Sequence, residues 1–185
     1  MKSKIVGFLF ILLILVMIPM ININGKSVKS AVTVFSDTQS PEVSPIARKT
    51  AQTIDSGFTD EAVKAVIIIL QTNYKCDKSM FADTKAAKKG YDYSKIEKYV
   101  KELKGACILY KGKAAPVPYF MYSKGSTSAG KKYPYLRNAA SPWDTLRGGS
   151  GSQGVSLNGI NELCKLGLSC KEALSHYLRD VTIRD

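Results

Sequence analysis

Residues 50–74 read TAQTIDSGFTDEAVKAVIIILQTNY, and the second half of this stretch decides the fold. From Glu61 it is almost wholly apolar. The β-branched run Val66-Ile67-Ile68-Ile69 would suit a strand, but about fifteen residues without a turn signal is long for one. On a helix, Ala62, Val63, Val66, Ile69 and Leu70 share one side, and Ala65, Ile67 and Ile68 widen it to nearly the whole circumference. A helix apolar all round is buried. The spacing therefore predicts a central helix reaching about Tyr74, with Thr59 or Asp60 as its N-cap. The turn in front, holding Thr53, Asp55, Thr59 and Asp60, is then either a cap or a catalytic corner backed by that helix.

Around this element, Ile46 to Ile54 reads as a short helix ending at the Ser56-Gly57 turn. Residues 75–93 are loop-like, and Ser94 with Glu97 forms an S-x-x-E capping box for a helix over about 95–104. The segments ACILY (106–110) and PVPYFMY (116–122) flank Lys111-Gly112-Lys113, which predicts a β-hairpin, with Pro116 and Pro118 keeping the second strand at an edge. Gly- and Ser-rich loops follow at 123–131 and 147–154. A helix is expected over 156–166 with Gly167 behind it, and a last one over 170–178 behind the box Ser169/Glu172. The order predicts an α+β fold, a single mixed domain of helices and a small hairpin or sheet over 45–185.

Ahead of that domain, Ile5–Ile23 carries no charge and follows Lys2 and Lys4. Its length approaches the ~30 Å hydrocarbon core of a bilayer. Val28-Lys29-Ser30 makes a poor cleavage site, so residues 1–23 read as an uncleaved transmembrane anchor in preference to a removed signal segment. Residues 24–44 are a polar linker. Either outcome places the domain outside the cytoplasm, on the cell membrane if anchored and secreted if cleaved.

The formal charge is +12, and removing Lys2 and Lys4 leaves 12 − 2 = +10 on the exported part. Such an excess favours polyanions. Outside the cytoplasm these are anionic lipid, wall polymers or acidic glycans. Nucleic acid is not expected as the polyanion of an exported chain. Cys76, Cys107, Cys164 and Cys170 contain no CxxC pair, so zinc is weakly supported, and they allow three full disulfide pairings as well as free buried thiols.

His176 is the only histidine, which excludes a multi-histidine metal centre and sets it in a capped helix where packing is the simpler role. Asp55, Asp60, Glu61 and Asp144 are the carboxyls beside apolar sequence, where burial would raise a pKa toward acid/base use. For Asp60 and Glu61, complementing the helix dipole suffices. Asp144 lies in SPWD beside Trp143, which either stacks on a sugar or anchors a loop.

Four blocks resemble the SpoIID/LytB family in that family's order, over roughly residues 41–180. DEAVKAVIIILQTNY is similar to its E-A-L-K-A-Q-A-V-A-A-R-T-Y helix, and GACILYKGKAAPVPYFMYSKGST to its G-x-V-I-x-Y-x-G-K-P-I segment. YPYLRNAASPWD resembles P-Y-L-x-S-V-x-S-P-W-D, and GSGSQGVSLNGINELCKLGLSCKEALSHYL resembles G-H-G-V-G-M-S-Q-x-G-A followed by E-I-L-x-H-Y-Y. The resemblance implies a membrane-anchored, extracytoplasmic protein of sporulation and engulfment that acts on peptidoglycan glycan strands as a lytic transglycosylase or enhances wall amidases. It implies a SpoIIP-like amidase and a SpoIIM-like membrane protein as partners, and Tyr74, Ser123, Thr127, Tyr135, Trp143 and Asp144 as glycan-binding residues.

The family's catalytic Glu lies in an A-x-E-M-P turn before that helix. Aligning Glu61-Ala62-Val63-Lys64 without gaps puts Thr53 on the Glu and Asp55 on the Pro. Threonine cannot protonate a glycosidic oxygen at a useful rate. Either Asp55 replaces the acid, or the protein binds glycan without cutting it, and the second is favoured because a 1 Å misplacement already costs rate heavily. Ser150 or Gly151 stands where the family has His, and some members bind zinc after the helix Tyr, where only Cys76 remains. Another class of reading is an interaction protein of the sporulation membrane machinery without glycan contact.

Overall fold

The computed structural model describes residues 43–81, 92–149 and 151–184. The proposed anchor and most of the linker lie outside them. Helix α1 (Pro45–Thr53) is capped by Ser44, whose side chain accepts from Ala47 N at 3.2 Å, with proline at the first position. Its buried Ala47 and Ala51, four residues apart, let it pack against the next two helices.

Helix α2 (Asp60–Cys76) is the centre of the fold. Thr59 caps it, Asp60 and Glu61 stand in its first turn and Lys75 in its last, the polarity the helix dipole favours. Ile67, Ile68, Ile69 and Leu70 are all essentially inaccessible, as an all-round apolar helix requires. Each contributes roughly 1.5–3 kcal/mol of gross burial energy. Helix α3 (Tyr93–Glu102) begins two residues earlier than the sequence suggested, because Asp92 caps it by accepting from Lys95 N. The expected Ser94/Glu97 box is not formed. Glu97 instead accepts from Ser44 N and fastens α3 to the start of α1.

Strand β1 (Cys107–Tyr110) turns into β2 (Lys113–Ala114) through Lys111 and Gly112, both with positive φ, the two-residue turn whose twist matches a hairpin. The expectation of a hairpin between 106–110 and 116–122 is corrected here. After Ala114 the chain leaves the sheet, because Pro116 and Pro118 have no N–H to continue a ladder. Strand β3 (Tyr119–Phe120) pairs in parallel with β4 (Val155–Ser156), Tyr119 opposite Val155.

Ser156 caps α4 (Leu157–Lys165), accepting from Gly159 N. The helix closes with Gly167 N on Cys164 O and Leu168 N on Leu163 O, the double bond of a Schellman ending. Helix α5 (Cys170–Tyr177) carries the complete Ser169/Glu172 box. Strand β5 (Val181–Arg184), absent from the sequence reading, pairs antiparallel with β1 from Cys107–Arg184 to Tyr110–Val181. The sheet order is β2-β1-β5. The fold is α+β, with α2 buried beneath α1, α3, α4, α5 and β1. Among the described residues no helix is long and apolar enough to cross a membrane.

Candidate functional site

The corner between α1 and α2 is held from outside its own segment. Asn161 of α4 accepts from Thr59 N at 2.9 Å and donates to Gly57 O at 3.4 Å, while Phe58 N closes the turn on Asp55 O. At its start, the Thr53 hydroxyl donates to Lys49 O at 2.7 Å and lies near the Tyr119 phenol. Burial pushes the Tyr119 phenol up, and the nearby Thr53 hydroxyl pulls it part of the way back. The position aligned with the resembled family's acid therefore carries a hydroxyl engaged with the helix backbone.

Asp55 is exposed, and its one bond to another side chain is accepted from Tyr122 OH at 3.5 Å, the outer limit of such a bond. The Arg147 guanidinium lies 5.8 Å from the Tyr122 ring centroid. A recess of about 160 Å³ opens beside the corner, lined among others by Ile54, Asp55, Phe58, Asp60 and Lys95. Inside it Lys95 pairs with Asp60 at 2.6 Å. The Lys95 bond first, and the Tyr99 hydroxyl second, hold the Asp60 carboxyl below its usual range. Asp60 is thus a helix-start acid with a cation of its own.

Asp144 has a different role. It is completely buried, and its carboxyl accepts four hydrogen bonds. Ser123 N, Ser123 Oγ and Ser156 Oγ donate to Oδ2 at 2.9, 2.6 and 2.6 Å, and Asn158 Nδ2 donates to Oδ1 at 2.8 Å. One carboxyl thereby ties the loop after β3, the 3₁₀ turn Pro142–Arg147 and the start of α4. Sealed from solvent and fully engaged, this carboxyl holds three segments together at a position where the resemblance implied a glycan-binding residue. Ser123 and Thr127 are also buried, Thr127 bonding Arg137 O and Ala139 O, so both support loops. Trp143 is half-buried against the core.

The Gly-rich segment runs beside β3, with Lys124 N on Gly151 O and Ser128 N on Ser152 O. A Cβ on Gly151 would stand 2.1 Å from the Phe120 ring, so this glycine permits close packing of two chain segments. Ser150, the other candidate for the family's His position, lies outside the described residues.

Two tyrosines stand apart from the corner. Tyr74 is half-buried in a separate apolar recess with Ile46, Gln71 and Val100, and Lys78 Nζ is 5.9 Å from its ring. Tyr135 is buried, and its phenol, pushed up to about 12 chiefly by burial, donates to Pro116 O. His176 Nε2 is 3.0 Å from Ala140 O and its ring meets Tyr177 edge-on.

All four cysteines are free, Cys76 exposed and the other three buried. Burial pushes the Cys164 thiol up to about 11. Among the described residues no group of three His, Cys, Asp or Glu side chains could hold a metal ion.

Tyr119, Tyr122, Asn158 and Asn161 were missed at the level of sequence. Asn158 and Asn161 carried a signal, being polar residues three apart in an otherwise apolar helix start, where a buried amide needs partners. The tyrosines carried none, since their partners Thr53 and Asp55 are more than sixty residues away. Compared with models of known protein families and with curated proteins, the sequence matches none.

Proposed function

We propose that this chain is a divergent SpoIID-like protein, anchored by residues 5–23 outside the cytoplasm, that binds peptidoglycan glycan strands without cleaving them. The observation that carries the non-catalytic part is the Thr53 hydroxyl, donated to Lys49 O at 2.7 Å where the family's acid would stand. Asp55 is the nearest alternative acid, but it is exposed, and its one bond to another side chain is at 3.5 Å. Such a group lacks the second partner that fixes a proton donor on a glycosidic oxygen. Asp144, the other candidate, is sealed in its own network. The +10 charge left on the exported part (12 − 2, without Lys2 and Lys4) supports attraction to an anionic wall, and association with SpoIIP-like and SpoIIM-like partners belongs to the same reading.

Digestion of denuded glycan strands, followed by mass spectrometry, tests it. No anhydro-muramyl product from the wild type, together with sedimentation of the protein on purified sacculi at moderate salt, is expected. Product from Thr53→Glu would mark a silent enzyme on a competent fold. Wild-type product that disappears in Asp55→Asn would overturn the non-catalytic reading. Failure to sediment would favour an interaction protein without glycan contact.

A further inference from the structure

The β1–β2 hairpin and the segment 131–135 enclose a groove of about 630 Å³ that shares no lining residue with the α1–α2 corner. Its walls are three tyrosines and three lysines, Tyr110, Tyr133, Tyr135, Lys111, Lys113 and Lys132, with Ala114, Ala115 and Pro116 between them. Among the described residues no carboxylate lines it. The volume lies within the usual range of small-ligand sites.

The rings are held by packing. Tyr135 is buried as a wedge, its centroid 5.3 Å from that of Tyr110 and 6.1 Å from that of Tyr133, and its phenol is bonded to Pro116 O. Tyr110 and Tyr133 remain half-buried, each presenting part of a ring to the groove. The three lysines are exposed. Lys111 Nζ lies 5.3 Å from the Tyr110 centroid and Lys132 Nζ 5.3 Å from that of Tyr133. An anion paired with either ammonium is therefore held within reach of a ring face. Apolar ring faces with flanking cations and no acid fit a ligand that has both pyranose faces to stack and carboxylates to pair. A phosphodiester chain of acyclic polyol would use the lysines and leave the tyrosines idle.

We propose that this groove binds an acidic saccharide, a chain of pyranose rings bearing carboxylates, at a site separate from the α1–α2 corner. It goes beyond the wall-binding reading and does not depend on it, since a soluble uronate oligomer replaces the sacculus as probe.

The test is calorimetric titration of the full chain, in mild detergent, with a galacturonate hexamer. Lys111→Gln/Lys132→Gln is expected to weaken binding about tenfold, as loss of paired charge at a partly desolvated site does. Tyr133→Leu, which keeps an apolar side chain, is expected to weaken it about as much by removing the stacking face. The control Lys98→Gln/Lys101→Gln, with the same charge loss on α3, should leave affinity within about twofold, because exposed charges at a distance are screened. A neutral chito-oligosaccharide and polyphosphate should each bind at least tenfold more weakly. Equal weakening by the control, or polyphosphate binding as well as the hexamer and unaffected by Tyr133→Leu, would reduce the groove to diffuse positive charge and overturn the proposal. So would a hexamer that does not bind. Circular dichroism of each variant separates loss of fold from loss of site.

Discussion

The side-chain amide of Asn73 pairs with both backbone groups of Val117, donating to its carbonyl at 2.9 Å and accepting from its N–H at 2.7 Å. A residue on the buried helix thus imitates a neighbouring strand for a segment that prolines on either side have removed from the sheet. The residue before Asn73, Thr72, accepts from Ile108 N through its hydroxyl oxygen at 3.0 Å. Helix α2 is both the apolar core and the polar support for the chain that crosses it.

Replacing Asn73 by alanine should leave the buried N–H and C=O of Val117 without partners. Each unmet group costs about 1–3 kcal/mol, so a loss of roughly 2–6 kcal/mol is expected. Urea titration would read this as a lower midpoint at unchanged slope. A loss below about 0.5 kcal/mol would show that water or a shifted segment replaces the amide.

For Asp144, alanine removes an acceptor shared by four donors, and the expected cost is roughly 3–5 kcal/mol. Asparagine keeps the shape but turns one acceptor into a donor facing donors, at about 1–3 kcal/mol. Because the role is structural, folded Asp144→Asn protein should sediment with sacculi as well as wild type. Loss of sedimentation with stability intact would place Asp144 in binding after all.

Gly159 and Tyr177 should be energetically coupled. A Cβ on Gly159 would lie 1.9 Å from the Tyr177 hydroxyl, which also bonds Ser141 Oγ at 2.7 Å. Gly159→Ala alone should destabilise by about 1–3 kcal/mol, as overpacking does. In a Tyr177→Phe background the blocking oxygen is gone, so the same change should cost at least ~0.5 kcal/mol less. Strict additivity of the two changes would disprove the contact.

Acid stability should report on Glu61. Its carboxyl accepts from Lys64 Nζ at 2.8 Å and from Cys170 N at 2.9 Å, and these two bonds, Lys64 first, hold its pKa below the ordinary 4.5. The folded pKa is the depressed one, so the stabilisation is complete above about pH 4.5 and is lost as pH falls through the lower folded value. The difference in Tm between wild type and Glu61→Gln should therefore be widest near neutral pH and close below pH 4.5. A constant difference across that window would remove the linkage.

Local chemistry was legible in the chain. The period of Ala62–Leu70, the cap Thr59, the box Ser169/Glu172 and the stop at Gly167 each act within a few residues, so composition and spacing were enough to place α2, α4 and α5. The box at Ser94/Glu97 failed because Glu97 found a better partner fifty-three residues away, at Ser44 N. The same distance hid β5, whose four residues become a strand only by pairing with β1.

The site divides in the same way. Sequence alone determined that an apolar helix lies behind the Thr53–Asp60 corner. Only the tertiary structure decided what surrounds those residues. It set Asp144 among Ser123, Ser156 and Asn158, and gathered three tyrosines and three lysines into one groove. The physical reason is that helix periodicity and capping are energies of near neighbours along the chain, whereas a buried carboxyl's partners and a strand's register are chosen by which distant segments close packing brings together.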